Sequence, residues 1–216
     1  MGNTALLIVD VQNDFCPGGA LAVPHGDQII DPLNIMLKRA FANKWLVVAS
    51  KDWHPVKTNH FSEFGGQWPA HCVAGTNGAE FHPGLKIFDV PHHVVYKGTL
   101  VDEDAYSAFQ GHGLCFKKDA RSAEVSLEEM LKLHDVDTLH IGGLATDYCV
   151  KATVLDACHL GFKAKVLLNA CRGVEINEDD SRQAVMDMMR AGAEILFELN
   201  DSMIMRIPRT QRRKGR

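Results

Sequence analysis

Leu46-Val47-Val48-Ala49-Ser50-Lys51-Asp52-Trp53-His54 carries an apolar run into a carboxylate and an imidazole two positions apart. The apolar run predicts a buried strand from Trp45 to Ser50. Side chains of extended chain repeat every second residue, so Asp52 and His54 point the same way just past that strand. His60 and His71 follow in a connection, residues 51 to 91, rich in Gly, Pro and His. Connections of that length are uncommon and usually functional. A carboxylate and an imidazole side by side, with a further His returned by a loop, is a donor set for a divalent metal.

Outward from this stretch, apolar runs alternate with helical patterns. Ala5-Leu6-Leu7-Ile8-Val9 predicts a strand ending at Asp10, and His93-Val94-Val95-Tyr96 one ending at Lys97. Thr138-Leu139-His140-Ile141-Gly142, Lys165-Val166-Leu167-Leu168 and Glu194-Ile195-Leu196-Phe197 predict three more. Between them, Ile29, Ile30, Leu33, Leu37 and Phe41 mark one face of a helix. Ser126 to His134 is a second helix, with Ser126 and Glu129 as a capping box. A third starts at Thr146 or Asp147 as cap and stops at Gly161; a fourth spans Asp179 to Ala191. The order predicts an α/β fold of three α/β/α layers around a mostly parallel six-stranded sheet, Rossmann-like in outline. No G-x-G-x-x-G follows the first strand, so a dinucleotide-binding domain has no support.

The chain has 216 residues, 46% hydrophobic and 23% charged, enough for one large core without an evident linker. The expected organisation is one domain over residues 1–205 and a basic tail over 206–216. That tail holds Arg206, Arg209, Arg212, Arg213, Lys214 and Arg216. It reads as a frayed terminus, with anion binding or targeting as the other option. A net charge of −4 gives no reason to expect nucleic acid, and no apolar run reaches membrane-spanning length. The N-terminus lacks a signal peptide's basic region. Six cysteines without a C-x-x-C pair then suggest free thiols in a reducing, cytoplasmic compartment.

Ligands of parallel α/β sheets bind beyond the carboxyl ends of the strands. Asp10, Asp52, His54 and Lys97 all fall at that edge, and Cys149 opens the helix after the fourth strand. A helix N-terminus can lower a thiol pKa, and the small residues of Gly142-Gly143-Leu144-Ala145-Thr146 would let backbone N–H groups approach an oxyanion. Asp10 could pair with Lys97 beside the thiol and take its proton. Each residue alone also fits a plainer reading: a buried helical cysteine, or a strand-end charge in solvent.

Ile8-Val9-Asp10-Val11-Gln12-Asn13-Asp14-Phe15-Cys16-Pro17-Gly18-Gly19-Ala20-Leu21 resembles the opening of nicotinamidases in the isochorismatase-like hydrolase superfamily. The resemblance continues through Asp52-Trp53-His54-Pro55, Asn59-His60-Phe61-Ser62 and Trp68-Pro69-Ala70-His71-Cys72. It runs on through Lys97-Gly98, Tyr106-Ser107-Ala108-Phe109 and Gly143-Leu144-Ala145-Thr146-Asp147-Tyr148-Cys149-Val150, in order over nearly the whole chain.

The resemblance implies a catalytic triad of Asp10, Lys97 and Cys149, and metal ligands Asp52, His54 and His71. His60 or Ser62 would add a further ligand. It implies a ring pocket of Phe15, Leu21, Trp68, Tyr106 and Tyr148. A cis Leu144–Ala145 bond would present the Ala145 and Cys149 N–H groups as an oxyanion hole. The activity implied is hydrolysis of nicotinamide to nicotinate and ammonia in NAD salvage, with pyrazinamide as a second amide. The implied cofactor is one divalent ion, zinc before iron or manganese, and the implied assembly a homo-oligomer. Isochorismatase-type members lack the metal triad. Two other classes share features of the donor set: a non-haem iron oxygenase and a metal-stabilised binding scaffold.

Overall fold

The computed structural model describes residues 2–116, 122–197 and 204–205. Asn3–Val9 forms β1, and its side chains divide by alternation: Ala5, Leu7 and Val9 enter one core, Leu6 and Ile8 the other. Both sets are fully buried, so this strand lies at the centre of a sheet covered on two faces. α1 (Ile30–Ala42) and β2 (Leu46–Asp52) follow, then β3 (His93–Lys97) after the long connection. β4 (His112–Phe116), β5 (Ser122–Ser126) and α2 (Leu127–Leu133) precede β6 (Val136–Leu144). α3 (Lys151–His159), β7 (Lys163–Arg172), α4 (Asp180–Ala191), β8 (Glu194–Leu196) and β9 (Ile204–Met205) complete the order.

The strands form one sheet in the order β5-β4-β3-β2-β1-β6-β7-β8-β9. The expected six strands are its parallel centre, β3-β2-β1-β6-β7-β8. The sheet is nine-stranded rather than six-stranded, because β4 and β5 extend one edge and β9 the other, all antiparallel. Renumbered by themselves, the six parallel strands stand in the doubly wound order 3-2-1-4-5-6, which reverses direction between β1 and β6. A crevice opens at such a switch point, at the carboxyl ends of the strands. Gly143 closes the two strands there: at φ +140° a Cβ would meet Val9 O at 2.0 Å.

α1 packs on the Leu6/Ile8 face through Ile30, Leu33, Met36, Leu37 and Ala40, spaced three and four apart. Phe41, expected on that face, is 61% exposed; Ala40 takes the position. α2, α3 and α4 cover the other face with Met130, Leu131, Val154, Ala157 and Met188. Full burial of each such Leu, Val or Met contributes about 1.5–3 kcal/mol. Ser126 caps α2 as expected, its Oγ accepting from Glu129 N at 3.2 Å. Gly192, at φ +108°, ends α4 in the left-handed conformation typical of a helix C-terminus. All six cysteines are free thiols. No helix among the described residues is long and apolar enough to cross a membrane. The basic residues from Arg206 to Arg216 lie outside the described residues.

Candidate active site

Five residues converge at the switch point. Asp10 follows β1 at φ +47°, Asp52 ends β2, Lys97 ends β3, and Ala145 and Cys149 follow β6. Lys97 is fully buried and is the hub: its Nζ lies 2.9 Å from Asp10 Oδ2, donates to Ala105 O at 2.8 Å, and sits 3.5 Å from Cys149 Sγ. It also pairs with Asp52. Ser50 Oγ donates to the other Asp10 oxygen at 2.7 Å. One oxygen of Asp10, one of Asp52 and the Cys149 sulfur all lie within 4.8 Å of one another.

Charge here follows from burial and pairing. Burial would discharge Lys97, but Asp10 and Asp52 outweigh it and hold the ammonium charged well above its ordinary range. Burial pushes Asp52 up, and Lys97, His54 and His71 together more than reverse it, leaving the carboxylate well below its usual range. Asp10 is raised, first by burial and then by Asp52, against the pull of Lys97. Burial likewise raises the Cys149 thiol, with Asp10 and Asp52 adding to it and Lys97 opposing. The thiol pKa therefore moves opposite to the expectation from a helix N-terminus. Cys149 stands in a π-helical turn, Thr146–Val150, ahead of α3 and inside a cluster with two carboxylates. It rests as a thiol next to a carboxylate of raised basicity. Asp147 does not cap this turn; its oxygens accept from Val174 N and Glu175 N at 2.9 Å each, holding the segment after β7 over the site.

The second cluster is built of imidazoles. His54, His60 and His71 each place a ligating atom within 4.8 Å of the others. His54 Nδ1 faces Gly98 O at 3.0 Å, His71 Nδ1 faces Pro69 O at 2.8 Å, and His60 Nδ1 faces Asp104 Oδ1 at 2.5 Å. These partners are acceptors, so in the neutral ring Nδ1 carries the hydrogen and Nε2 the lone pair. His54 Nε2 and His71 Nε2 lie 3.6 and 3.9 Å from Asp52 Oδ2. Burial brings His71 down to about 4, so it stands neutral at pH 7, as a ligand must. His54 Nε2 is buried with no hydrogen-bond partner, an orphaned lone pair that a cation would satisfy. The donor set thus fits the implied divalent ion. Ser62 is exposed.

One cavity connects the two clusters. Phe15, Leu21, Trp68, Tyr106 and Tyr148 line it, together with Ala145, Cys149, His60, His71 and Asp52. Trp68 Nε1 donates to Tyr106 Oη at 2.9 Å, and the Trp68 and Tyr148 rings meet edge-on at 4.9 Å. The Leu144–Ala145 bond is cis.

Other supports escaped sequence reasoning. Gln12 is buried and clamps Asp52: Nε2 donates to Asp52 O and Oε1 accepts from Asp52 N, both at 2.8 Å. Its signal was its place two residues after Asp10. Asp14 accepts from Cys72 N at 2.7 Å and Ala20 N at 3.1 Å, tying two loops together. Ser50, Asp104, Val23, Ala105 and Val174 carry no pattern that marks them in the linear chain.

Gly98 has φ +63°, and a Cβ there would meet His54 Cε1 at 2.4 Å. Gly98→Ala is therefore expected to push His54 off its carbonyl anchor and weaken metal retention about 10- to 100-fold. Competition with a chelator of known affinity measures this; retention unchanged from wild type would show that the glycine does not position His54.

The fold and cavity place the chain among α/β proteins that gather their polar and thiol side chains at the switch point of a doubly wound sheet. More narrowly, the chain belongs to the isochorismatase domain family, which matches residues 4–197. It is 44% identical over 212 residues to the nicotinamidase of Escherichia coli (strain K12), spanning 91% of this chain and 95% of that one. The structure of the pyrazinamidase of Pyrococcus horikoshii in complex with zinc superposes with a TM-score of 0.77 at 39% identity, covering 90% of this chain and 98% of the other. PnC1 from L. infantum in complex with nicotinate gives 0.76 at 31% identity, with 90% and 92% covered.

Proposed function

We propose that this chain is a nicotinamidase, hydrolysing nicotinamide to nicotinate and ammonia through a thioester on Cys149. One observation carries the reading: a single cavity is lined by Cys149, by His60 and His71 of the imidazole cluster, and by aromatic rings. The nicotinamidase name of the Escherichia coli relative and the nicotinate bound to the L. infantum protein agree with it. Nicotinamide has a flat ring with an amide on one side and a nitrogen on the other, which suits such a cavity.

Asp10 takes the Cys149 proton as Sγ attacks the amide carbon. The Ala145 and Cys149 N–H groups receive the oxyanion, a role in which one donor is typically worth about 10²–10³ in rate. Asp10 returns the proton to the nitrogen as the C–N bond breaks and ammonia leaves. Water then attacks the thioester, giving its proton to Asp10 and on to the departing sulfur, which restores the thiol. Lys97 stays charged throughout and keeps Asp10 a usable base beside Asp52. Phe15, Leu21, Trp68, Tyr106 and Tyr148 sandwich the ring.

Asp52, His54, His60 and His71 would hold the divalent ion, Zn²⁺ by the mixed imidazole–carboxylate set. When bound, that ion supplies Lewis-acid attraction for the ring nitrogen and for water. His60, buried among the imidazoles, is favoured over the exposed Ser62 as the added ligand. The zinc bound to the Pyrococcus horikoshii protein supports zinc as the ion. Pyrazinamide, with a nitrogen in the equivalent ring position, is the second amide. An oxygenase would leave the buried Asp10, Lys97 and Cys149 without a role. Residues 1–205 are read as one hydrolase domain, since one sheet takes strands from Asn3 to Met205, with residues 206–216 as a basic tail of a cytoplasmic homo-oligomer.

Ammonia release from nicotinamide and from benzamide tests the reading. Benzamide lacks only the ring nitrogen, so its kcat/KM is expected to fall about 10²-fold or more. Chelation should remove most of that preference. Equal turnover of the two amides would sink the ring-nitrogen contact and leave the cysteine chemistry standing.

A further inference from the structure

At the end of the sheet away from the catalytic cavity, three metal-ligating side chains meet that amide hydrolysis does not use. His93 opens β3, whose other end carries Lys97; Cys115 lies on β4; His134 follows the last turn of α2. β3 and β4 are antiparallel with Tyr96 opposite His112. The same register carried three residues along sets Cys115 opposite His93, so both side chains leave the sheet on one face. The His93 and His134 rings stand 5.6 Å apart, and one ligating atom from each of the three residues lies within 4.8 Å of the others.

The two imidazoles are already oriented. His93 Nδ1 faces Leu114 O at 3.1 Å and His134 Nδ1 faces Met130 O at 2.9 Å. A carbonyl only accepts, so each ring is held in one tautomer with a lone pair on its other nitrogen. Metal-binding histidines are commonly fixed by such partners. Tetrahedral zinc, with bonds of about 2.0–2.3 Å, needs ligating atoms about 3.3–3.6 Å apart. Closing from 4.8 Å requires about an ångström of side-chain movement, and both rings are only half-buried. An open hollow of about 520 Å³, lined by His92, His93 and His134 among others, gives a cation access.

We propose that His93, Cys115 and His134 form a second metal site, taking Zn²⁺ or another borderline-soft divalent ion with its fourth position open to the hollow. The Cys115 thiol gives its proton to solvent as the thiolate–metal bond forms. The ion joins β3, β4 and α2, and so stabilises the folded chain by mass action.

Co²⁺ titration of the chelated full-length protein tests this. A thiolate bound to Co²⁺ gives an intense near-ultraviolet charge-transfer band, which a site of imidazoles and a carboxylate does not. The band is expected in wild type and in Cys149→Ala, and absent in Cys115→Ser with one fewer equivalent bound. His134→Gln changes a half-buried helix-end residue, so it covers the case of Cys115→Ser failing to fold; Co²⁺ affinity read from the band should fall at least about tenfold. Nicotinamide hydrolysis by His134→Gln confirms an intact fold. Absence of the band in wild type, its survival in Cys115→Ser, its loss in Cys149→Ala, or unchanged affinity in His134→Gln would each overturn the proposal without touching the amidase reading.

Discussion

Replacing Cys149 with alanine is expected to lower ammonia release from nicotinamide by about 10⁴-fold or more. The sulfur is the only thiol lining the described cavity, and it sits 3.5 Å from Lys97 and within 4.8 Å of an Asp10 oxygen. Its raised pKa means that attack must be coupled to proton transfer, and the raised pKa of Asp10 makes that transfer easier to match. Alanine removes the attacking atom but leaves the aromatic walls and the imidazoles, so nicotinamide should still bind within a few-fold of wild type. Stopped assays of ammonia, with binding followed by calorimetry, separate the two. Turnover within tenfold of wild type would falsify the nucleophile assignment.

Replacing Lys97 with methionine is expected to destabilise the metal-free protein by about 3–5 kcal/mol at neutral pH. Methionine keeps most of the stem but leaves Asp10 and Asp52 buried without their shared cation. In wild type, Asp52 is depressed below its ordinary value of 3.8, so its contribution is present above that value and lost as pH falls through the folded pKa. Without Lys97, burial dominates and both carboxyls move up. Their charged forms then oppose folding above 3.8, and stability returns as pH falls through the raised values. The gap between variant and wild type should therefore narrow on acidification from pH 8 to 5. Denaturant melts at several pH values measure it. A loss below 1 kcal/mol, or one independent of pH, would mean that the two carboxyls are not held by Lys97.

The six parallel strands were legible because each is an apolar run bounded by polar residues or turns. β4, β5 and β9 were not. His112-Gly113-Leu114-Cys115-Phe116 has an apolar run of only three residues, Ser122-Ala123-Glu124-Val125-Ser126 alternates over only five with a small Ala and one Val as its apolar positions, and β9 is two residues long. Edge strands are selected by the pairing their neighbour offers, a non-local term that short windows do not contain. The thiol was misjudged for a similar reason: its local turn suggests acidity, while burial among carboxylates from other strands raises its pKa.

By itself, the sequence determined the alternation of strands and helices, and the placing of Asp10, Asp52, Lys97 and Cys149 near element ends. These follow from local periodicity and steric preference, which act within a few residues. Only the tertiary structure decided that Lys97 stands between two carboxylates and that His60 joins His54 and His71. The tertiary structure also settled that Gln12 clamps Asp52 and that His93, Cys115 and His134 share a corner of the sheet. Those facts depend on strand order, register and loop path, which bring together residues as far apart as Lys97 and Cys149 and which no local pattern encodes.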